Sequence, residues 1–257
     1  MNDVYTLAKN LNIAKLVQPD VSGLLERERL FELLDKSDNG FGWVMGPAGA
    51  GKTSLLTSWV KSRKKNTLWY RVDIADSDPA TFFHYFSLAL GEFGKSVPAF
   101  SVEHIPNLEM FARRYFRACF QSLPKNTVII FDNCHSVPAE DTLFLLLHWL
   151  LEERVPGCSI VCSSRQAVPS RLNTWQVMPN YSYIGWEALL STHDEADQVA
   201  KLLGYSGLPK DVYEYTGGWL AGLVLQLKVN NGDALDPVQR HDADHMAVLF
   251  SVFAEGA

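Results

Sequence analysis

Residues 46–53 read Gly46-Pro47-Ala48-Gly49-Ala50-Gly51-Lys52-Thr53, a short glycine-rich run that ends in a lysine and a hydroxyl residue. Glycines let the main chain wrap closely around an anion and turn successive N–H groups inward. A helix opening at Lys52 adds the positive end of its dipole to the same point. The spacing G-x-x-x-x-G-K-[ST] is that of a phosphate-binding loop, or P-loop. In it Lys52 reaches the β- and γ-phosphates of a nucleotide, and the Thr53 hydroxyl ligates Mg2+. Ser54 follows in the same first turn. The segment from Gly46 to Ser54 is therefore expected to hold ATP or ADP with Mg2+, rather than to be a chance glycine turn.

The flanks supply what such a loop requires. Residues 41–45 form a short apolar strand that runs straight into the glycines, and 53–63 follow as a helix with Leu55, Leu56, Trp59 and Val60 at helical spacing. Further strands are predicted at 67–72, 127–131, 159–162 and 181–184. Helices are predicted at 107–121 and 143–151, and another starts at Asp78-Pro79, with aspartate as N-cap and a stripe of Phe82, Phe86, Ala89 and Phe93. Short apolar strands alternating with amphipathic helices indicate an α/β fold, a P-loop NTPase parallel sheet with helices on both faces. Beyond Gly185 the strand signals stop. Thr192 and Glu195 have capping-box spacing ahead of a helix reaching Leu203, Gly217-Gly218 precede another with Leu220, Leu223 and Leu227, and 243–253 form a last helical pattern. The expected organisation is a nucleotide-binding domain over 1–185 and a small all-helical domain over 186–257.

A P-loop needs a carboxylate at the end of a neighbouring buried strand to organise Mg2+. Val128-Ile129-Ile130-Phe131-Asp132 provides one, so Thr53 and Asp132 are the expected metal residues. Asn133 follows where many hydrolases place a second acid. An amide can orient a water but cannot accept its proton, so slow hydrolysis is expected. Arg165, just past the strand at 159–162, is placed to read the γ-phosphate, unless it is an ordinary surface arginine. Lys52, Asp132 and Arg165 are thus the candidate catalytic set. Asp73 and Asp76 lie just beyond a strand end and are candidates for positioning water, Asp76 equally for forming a turn. Cys134-His135 invites a nucleophile reading, but no orienting third group can be named, and core or loop roles fit better. Arg113, Arg114 and Arg117 could form the lid of a small-molecule kinase, yet they fall on the polar side of an amphipathic helix. Lys61, Arg63, Lys64 and Lys65 read as a solvated helix end. His241 and His245 lack a third metal ligand.

Composition bounds the rest. The chain has 257 residues, 47% apolar and 20% charged, with a net charge of −6. That balance describes a globular protein and argues against coating nucleic acid. No apolar run spans a bilayer, so no membrane partner is expected. The cysteines Cys119, Cys134, Cys158 and Cys162 sit in apolar segments without ligand spacing, which points to free thiols and a cytoplasmic location.

The ordered set of motifs resembles one family. Leu25-Glu26-Arg27-Glu28-Arg29-Leu30 resembles its V-x-R-E-R-L element, "GPAGAGKTSLL" its Walker A, and "LWYRVDIADSDPATFFHYF" the segment that follows. "VIIFDNCH" is similar to its Walker B, "CSSR" to its sensor, and "YTGGWLAGLVLQL" to its G-W-x-x-x-L-x-L helix. Together they resemble the STAND-class ATPases of MalT-like, large LuxR-type transcriptional regulators, over most of the chain. The resemblance implies an ADP-bound closed monomer in which ATP replaces ADP on signalling, the domains re-open and the protein self-associates. It places Arg27, with Arg29, near the adenine and ribose, and Gly218 and Trp219 on the helical face that closes on the nucleotide. A glycine helix break beside a core tryptophan accounts for the last pair equally well. Asn133 departs from the family's second aspartate. No helix-turn-helix pattern is present, so DNA would be reached only through a domain absent from this chain, which reads as a fragment of a longer regulator or a short form. The competing readings are a non-catalytic module holding ADP and a P-loop kinase for a small metabolite.

Overall fold

The computed structural model describes residues 13–20, 23, 25–91 and 97–230. In chain order, helix α1 (Glu28–Asp35) leads into strand β1 (Phe41–Met45), the glycine loop and helix α2 (Lys52–Ser62). Strand β2 (Asn66–Arg71), helix α3 (Pro79–Leu90), helix α4 (Leu108–Ser122) and strand β3 (Thr127–Asp132) follow. Helix α5 (Thr142–Glu152), strand β4 (Cys158–Ser164) and strand β5 (Tyr181–Ile184) complete the layer. The five strands are ordered β2-β3-β4-β1-β5, and every pairing is parallel.

The period-two geometry of strands explains why the apolar runs are continuous: alternate residues serve opposite faces, and both faces are covered. Ile129 and Phe131 point into a core shared with α3, α4 and α5. Val128 and Ile130 point into a second core with Leu30, Phe31 and Leu34 of α1 and Leu55, Leu56 and Trp59 of α2. The first core is rich in rings: Phe131 stacks on Phe86 at 6.0 Å with planes 7° apart and meets Tyr70 at 5.7 Å. Phe93, assigned to the stripe of α3, lies outside the described residues. The predicted start of α3 is present: the Asp78 carboxylate accepts from Ala80 N and Thr81 N, with Pro79 in the first turn.

One spatial expectation needs correcting. The strand ending in Asp132 is not adjacent to the strand feeding the glycine loop, because β4 lies between them. Sequence order carries no information on which strands pair, and the chain crosses over β4 before returning to fill that slot.

After β5 come helix α6 (Trp186–Leu189), helix α7 (His193–Leu202), helix α8 (Lys210–Thr216) and helix α9 (Leu220–Asn230). The capping box of α7 is formed, with Thr192 accepting from Glu195 N and Glu195 accepting from Thr192 N. Ala196, Ala200, Val212, Leu223 and Leu227 make its small core. The helix expected at 243–253 and the pair His241 and His245 lie outside the described residues. The four cysteines are free and buried. No helix among the described residues is long and apolar enough to cross a membrane.

Phe131 is fully buried at the centre of the aromatic core. Phe131→Ala should lower unfolding free energy by about 3–5 kcal/mol, read as a fall in the urea midpoint with little change in slope.

Candidate functional site

At the carboxyl edge of the sheet, β1 ends at Met45 and the chain turns through the loop. Gly49 and Gly51 have φ of +69° and +80°, in the left-handed region that costs an L side chain energy and glycine nothing. Gly51 is the N-cap of α2 and offers no side-chain cap, so the first N–H groups of the helix have no partner within it. These groups face a cavity of about 330 Å3 lined by loop residues 48–54 together with Asn133, His135 and Arg165. The glycine loop and the ends of β3 and β4 are thereby brought to one place.

Lys52 is buried, and its ammonium donates to the carbonyls of Gly46 at 2.6 Å and Pro47 at 2.9 Å. Gly46 and Pro47 do not themselves line the cavity. Burial, followed by repulsion from Arg165, lowers the Lys52 pKa to about 8 despite the attraction of Asp132. The Thr53 hydroxyl donates to Asp132 Oδ2 at 2.9 Å. Asp132 is buried, and its other oxygen accepts from the Ser163 hydroxyl. Ser163 in turn accepts from Asn133 N at 3.2 Å. Thr53 of α2 and Asp132 of β3 thus converge although β4 lies between β3 and the strand that feeds the loop, and Ser163 of β4 also binds Asp132. Its only trace in the sequence was its place in the "CSSR" run, singled out for Arg165.

The charged groups resolve differently from one another. Arg165 is half-buried at the cavity wall. His135 lies on the same wall; burial, then repulsion from Arg165 and Lys52, holds its pKa near 4, so it is a neutral imidazole at pH 7. Its Nδ1 is buried with no hydrogen-bond partner among the described residues, a situation that costs about 1–3 kcal/mol. Cys134 is fully buried, and burial holds its thiol well above the usual range, which removes any nucleophile role. Asp76 does not position water: it accepts from Tyr70 OH at 2.6 Å, Lys15 Nζ at 2.7 Å and Asp73 N at 2.8 Å. Arg113 and Arg117 pair with Glu153 on the surface, and Arg63 with Glu28 and Asp35, so none of them reaches the cavity.

Arg27 lines a second, largely apolar cavity of about 400 Å3 that shares Gly49, Gly51 and Ser54 with the first and is closed by Val199, Leu220 and Val224. Its guanidinium is engaged elsewhere, donating to Glu195 Oε2 at 2.8 Å and to the carbonyls of Leu189 at 3.0 Å and Leu190 at 2.9 Å. Arg29 donates to the other Glu195 oxygen at 2.8 Å. Burial tends to raise the Glu195 pKa, but hydrogen bonds from Arg29 and Arg27 outweigh it and hold the carboxyl below its ordinary value. Sequence reading used Glu195 as a helix cap and missed this second role, since the partner arginines lie over 160 residues away. The glycine loop is also held from the helical side: Trp219 Nε1 donates to Ala48 O at 3.2 Å, and Ala221 N to Gly49 O at 3.2 Å.

The profile of the AAA domain family matches residues 35–164. Among curated proteins, the HTH-type transcriptional regulator MalT of Vibrio campbellii is 23% identical over 219 residues, which covers 82% of this chain and 23% of that regulator. MalT of Serratia proteamaculans is 27% identical over 179 residues, covering 67% of this chain and 19% of that protein. Among solved structures, the signal transduction ATPase with numerous domains (STAND) protein with a tetratricopeptide repeat sensor from Pyrococcus horikoshii superposes with a TM-score of 0.60 at 19% identity. It covers 93% of this chain and 33% of that one. The chain spans under a quarter of the length of these MalT relatives. The motif resemblance to MalT-like STAND ATPases is therefore matched both in sequence and in fold.

Lys52 is charged at a cost in the folded state. Its folded pKa of about 8 is below the ordinary 10.5, so between these values the unfolded chain binds more protons and this group adds stability as pH rises. Nucleotide-free protein should accordingly gain stability relative to Lys52→Met as pH is raised from about 8 towards 10.5, and the difference should be flat below 8, as measured by urea unfolding across pH.

Proposed function

On the footing that this chain belongs to the AAA domain family, we propose that it is the nucleotide-binding switch segment of a MalT-like transcriptional regulator. It binds ATP or ADP with Mg2+ and hydrolyses ATP slowly. The nucleotide state sets how the helical unit, residues 186–257, sits on the nucleotide-binding unit, residues 1–185, and whether copies of the chain associate. The observation that carries the reading is the convergence of the Thr53 hydroxyl and the Asp132 carboxylate beside the Lys52 ammonium, at the open N-terminus of α2.

The donor set fits the groups it would hold. Thr53 and Asp132 present hard oxygen atoms within 2.9 Å of each other, the ligand type Mg2+ prefers. When bound, the metal neutralises charge on the phosphates. Lys52 releases the carbonyls of Gly46 and Pro47 to grip phosphate oxygens, and the N–H groups of the loop from Gly46 to Ser54 cradle them. Arg165 faces the outermost phosphate. The second cavity suits a flat base: it adjoins the loop at Gly49 and Gly51 and is walled by Leu25, Leu55 and Leu220. Arg27 forms part of that wall while its charge stays on Glu195. Because the loop carbonyls of Ala48 and Gly49 accept from Trp219 and Ala221, a change in the loop is felt by α9. Switching requires that the two nucleotides differ in affinity for the two arrangements, since equal affinity shifts nothing.

Asn133 supports a second reading, a non-catalytic module in which tightly held ADP is structural. Its backbone is left-handed, at φ 65°, and no acid stands at that position to take a proton from water. Single-turnover hydrolysis separates the two, the module predicting no phosphate release above a Lys52→Ala control.

Calorimetry on nucleotide-stripped protein should show binding of both Mg-ADP and Mg-ATP. Lys52→Ala should weaken it about 100-fold, and Asp132→Asn should abolish the gain in affinity that Mg2+ confers. Sedimentation should give a larger species with ATP than with ADP. Absence of heat and of thermal stabilisation with millimolar nucleotide would remove the proposal.

A further inference from the structure

Trp43 has no part in the assignments above. It lies in the middle of β1, buried in the aromatic core, and stands opposite Cys162 of β4 in the ladder. Its ring is core packing, but its indole N–H reaches out of the core: Nε1 donates to the carbonyl of Gln166 at 3.1 Å. Gln166 follows Arg165 in the stretch 165–169, which belongs to no helix or strand. Arg165 needs support of this kind. Among the described residues its guanidinium makes no hydrogen bond and no ion pair, and it lies close enough to Lys52 to lower the proton affinity of that ammonium. A cation beside another cation, with no carboxylate of its own, turns away to solvent unless its main chain is fixed.

We infer that Trp43 is a positioning residue, which through Gln166 aims Arg165 into the cavity and so favours a nucleoside triphosphate over a diphosphate; this rests on the reading of the cavity as a nucleotide site in which Arg165 faces the outermost phosphate. Three bonds fix the main chain around Arg165. The carbonyl of Ser164 accepts from Gly46 N at 3.1 Å, the N–H of Gln166 donates to the Ser164 hydroxyl at 3.0 Å, and the carbonyl of Gln166 accepts from Trp43. The first two hold the peptide planes on either side of the Arg165 Cα, and the third holds the plane that comes next. Of the three partners, Trp43 is the one side chain anchored in the aromatic core, so it ties an irregular segment to the most rigid part of the molecule. The same strand then runs into the glycine loop, so β1 places both the loop and the arginine that shares its cavity. An arginine aimed at a third phosphate does nothing for ADP, and such differential contact is what a nucleotide-state switch requires.

The test compares two ligands and two substitutions that separate packing from hydrogen bonding. Mg-ADP and the non-hydrolysable β,γ-imido analogue of Mg-ATP are titrated calorimetrically into nucleotide-stripped parent, Trp43→Phe, Trp43→His, Arg165→Ala and the double variant Trp43→Phe/Arg165→Ala, with thermal unfolding of each. Trp43→Phe keeps a large ring and loses the donor; it should bind the triphosphate analogue about fivefold more weakly while its affinity for ADP changes less than about twofold. Trp43→His loses more packing but carries Nε2 at the ring position of the indole Nε1; at pH 8 it should melt lower than Trp43→Phe yet keep the parent's ratio of affinities. A purely structural role would rank the two variants the other way. In the Arg165→Ala background, Trp43→Phe should cost the triphosphate less than about twofold more, since both changes remove one interaction. Equal effects of Trp43→Phe on both ligands, no effect on either, or full additivity with Arg165→Ala overturns the role of Trp43 and leaves the nucleotide site intact. Should Trp43→Phe not fold, Trp43→His decides: a kept ratio supports the role and a lost one overturns it. If Arg165→Ala spares the triphosphate, the reading of Arg165 falls and Trp43 with it, and a parent that binds neither ligand takes down the site as well.

Discussion

The loop at residues 48–51 is claimed from two sides, and most of what this molecule can do follows from that. On one side the unpartnered N–H groups of the helix start face the cavity. On the other, the carbonyls of Ala48 and Gly49 accept from Trp219 and from the first turn of α9. A peptide unit is rigid, so its N–H and C=O cannot be reoriented independently. Any ligand that rotates the loop amides must carry their carbonyls with them and strain or strengthen the bonds to α9. The steric fit is tight as well: a Cβ on Gly49 would collide with that of Ala221, and one on Gly51 would come within 2.8 Å of Leu220 Cδ1. Glycine is required there by left-handed backbone and by the neighbouring helix at once.

The second hold on the helical unit is electrostatic and of a different kind. Glu195 faces two guanidinium groups, Arg27 and Arg29, and the surplus positive charge is met by the carbonyls of Ala188, Leu189 and Leu190 at the end of α6. A helix C-terminus carries partial negative charge, so these carbonyls suit a cation. Arg27 is buried, and a buried charge that loses its partner is expensive, which makes this contact costly to break in isolation. Arg29 is 37% exposed, and its share is correspondingly weakened by solvent. The residues before the loop are thus joined to the start of α7, while the loop itself is joined to α9.

Local chemistry was legible in the sequence to the extent that it was local. The strand ending in Asp132, the aspartate and proline opening α3, and the capping box of α7 all depend on residues within a few positions, and the structure has them. Helices α1 and α8 went unread as helices because they are short, with 8 and 7 residues, too few turns for a periodic signal. The interposition of β4 was invisible for another reason: strand order is decided by how crossovers pack, and parallel strands carry no mark of their neighbours. Ser163 and the second role of Glu195 were missed for the same cause, since each acts through a partner distant in the chain. The arginine element ahead of the loop was read as lying near a base, and Arg27 does line the second cavity, but its charge is committed to Glu195.

The electrostatics of the first cavity give it a preference before any ligand is considered. Arg165 acts on Lys52 to lower its proton affinity, so two cations are held close enough to repel, and both act in the same sense on His135. Asp132 acts on Lys52 in the opposite sense, and it is bound to Thr53 and Ser163. Anything with negative charge that enters relieves this repulsion, and relieves it more the greater its charge, because each added charge interacts with both cations in a partly buried setting. The positive character of the cavity is in this sense a property of where β3 and β4 end. Those strand ends place Asn133, His135 and Arg165 on the same cavity as the N–H groups of the loop, the Lys52 ammonium and the hydroxyls of Thr53 and Ser54.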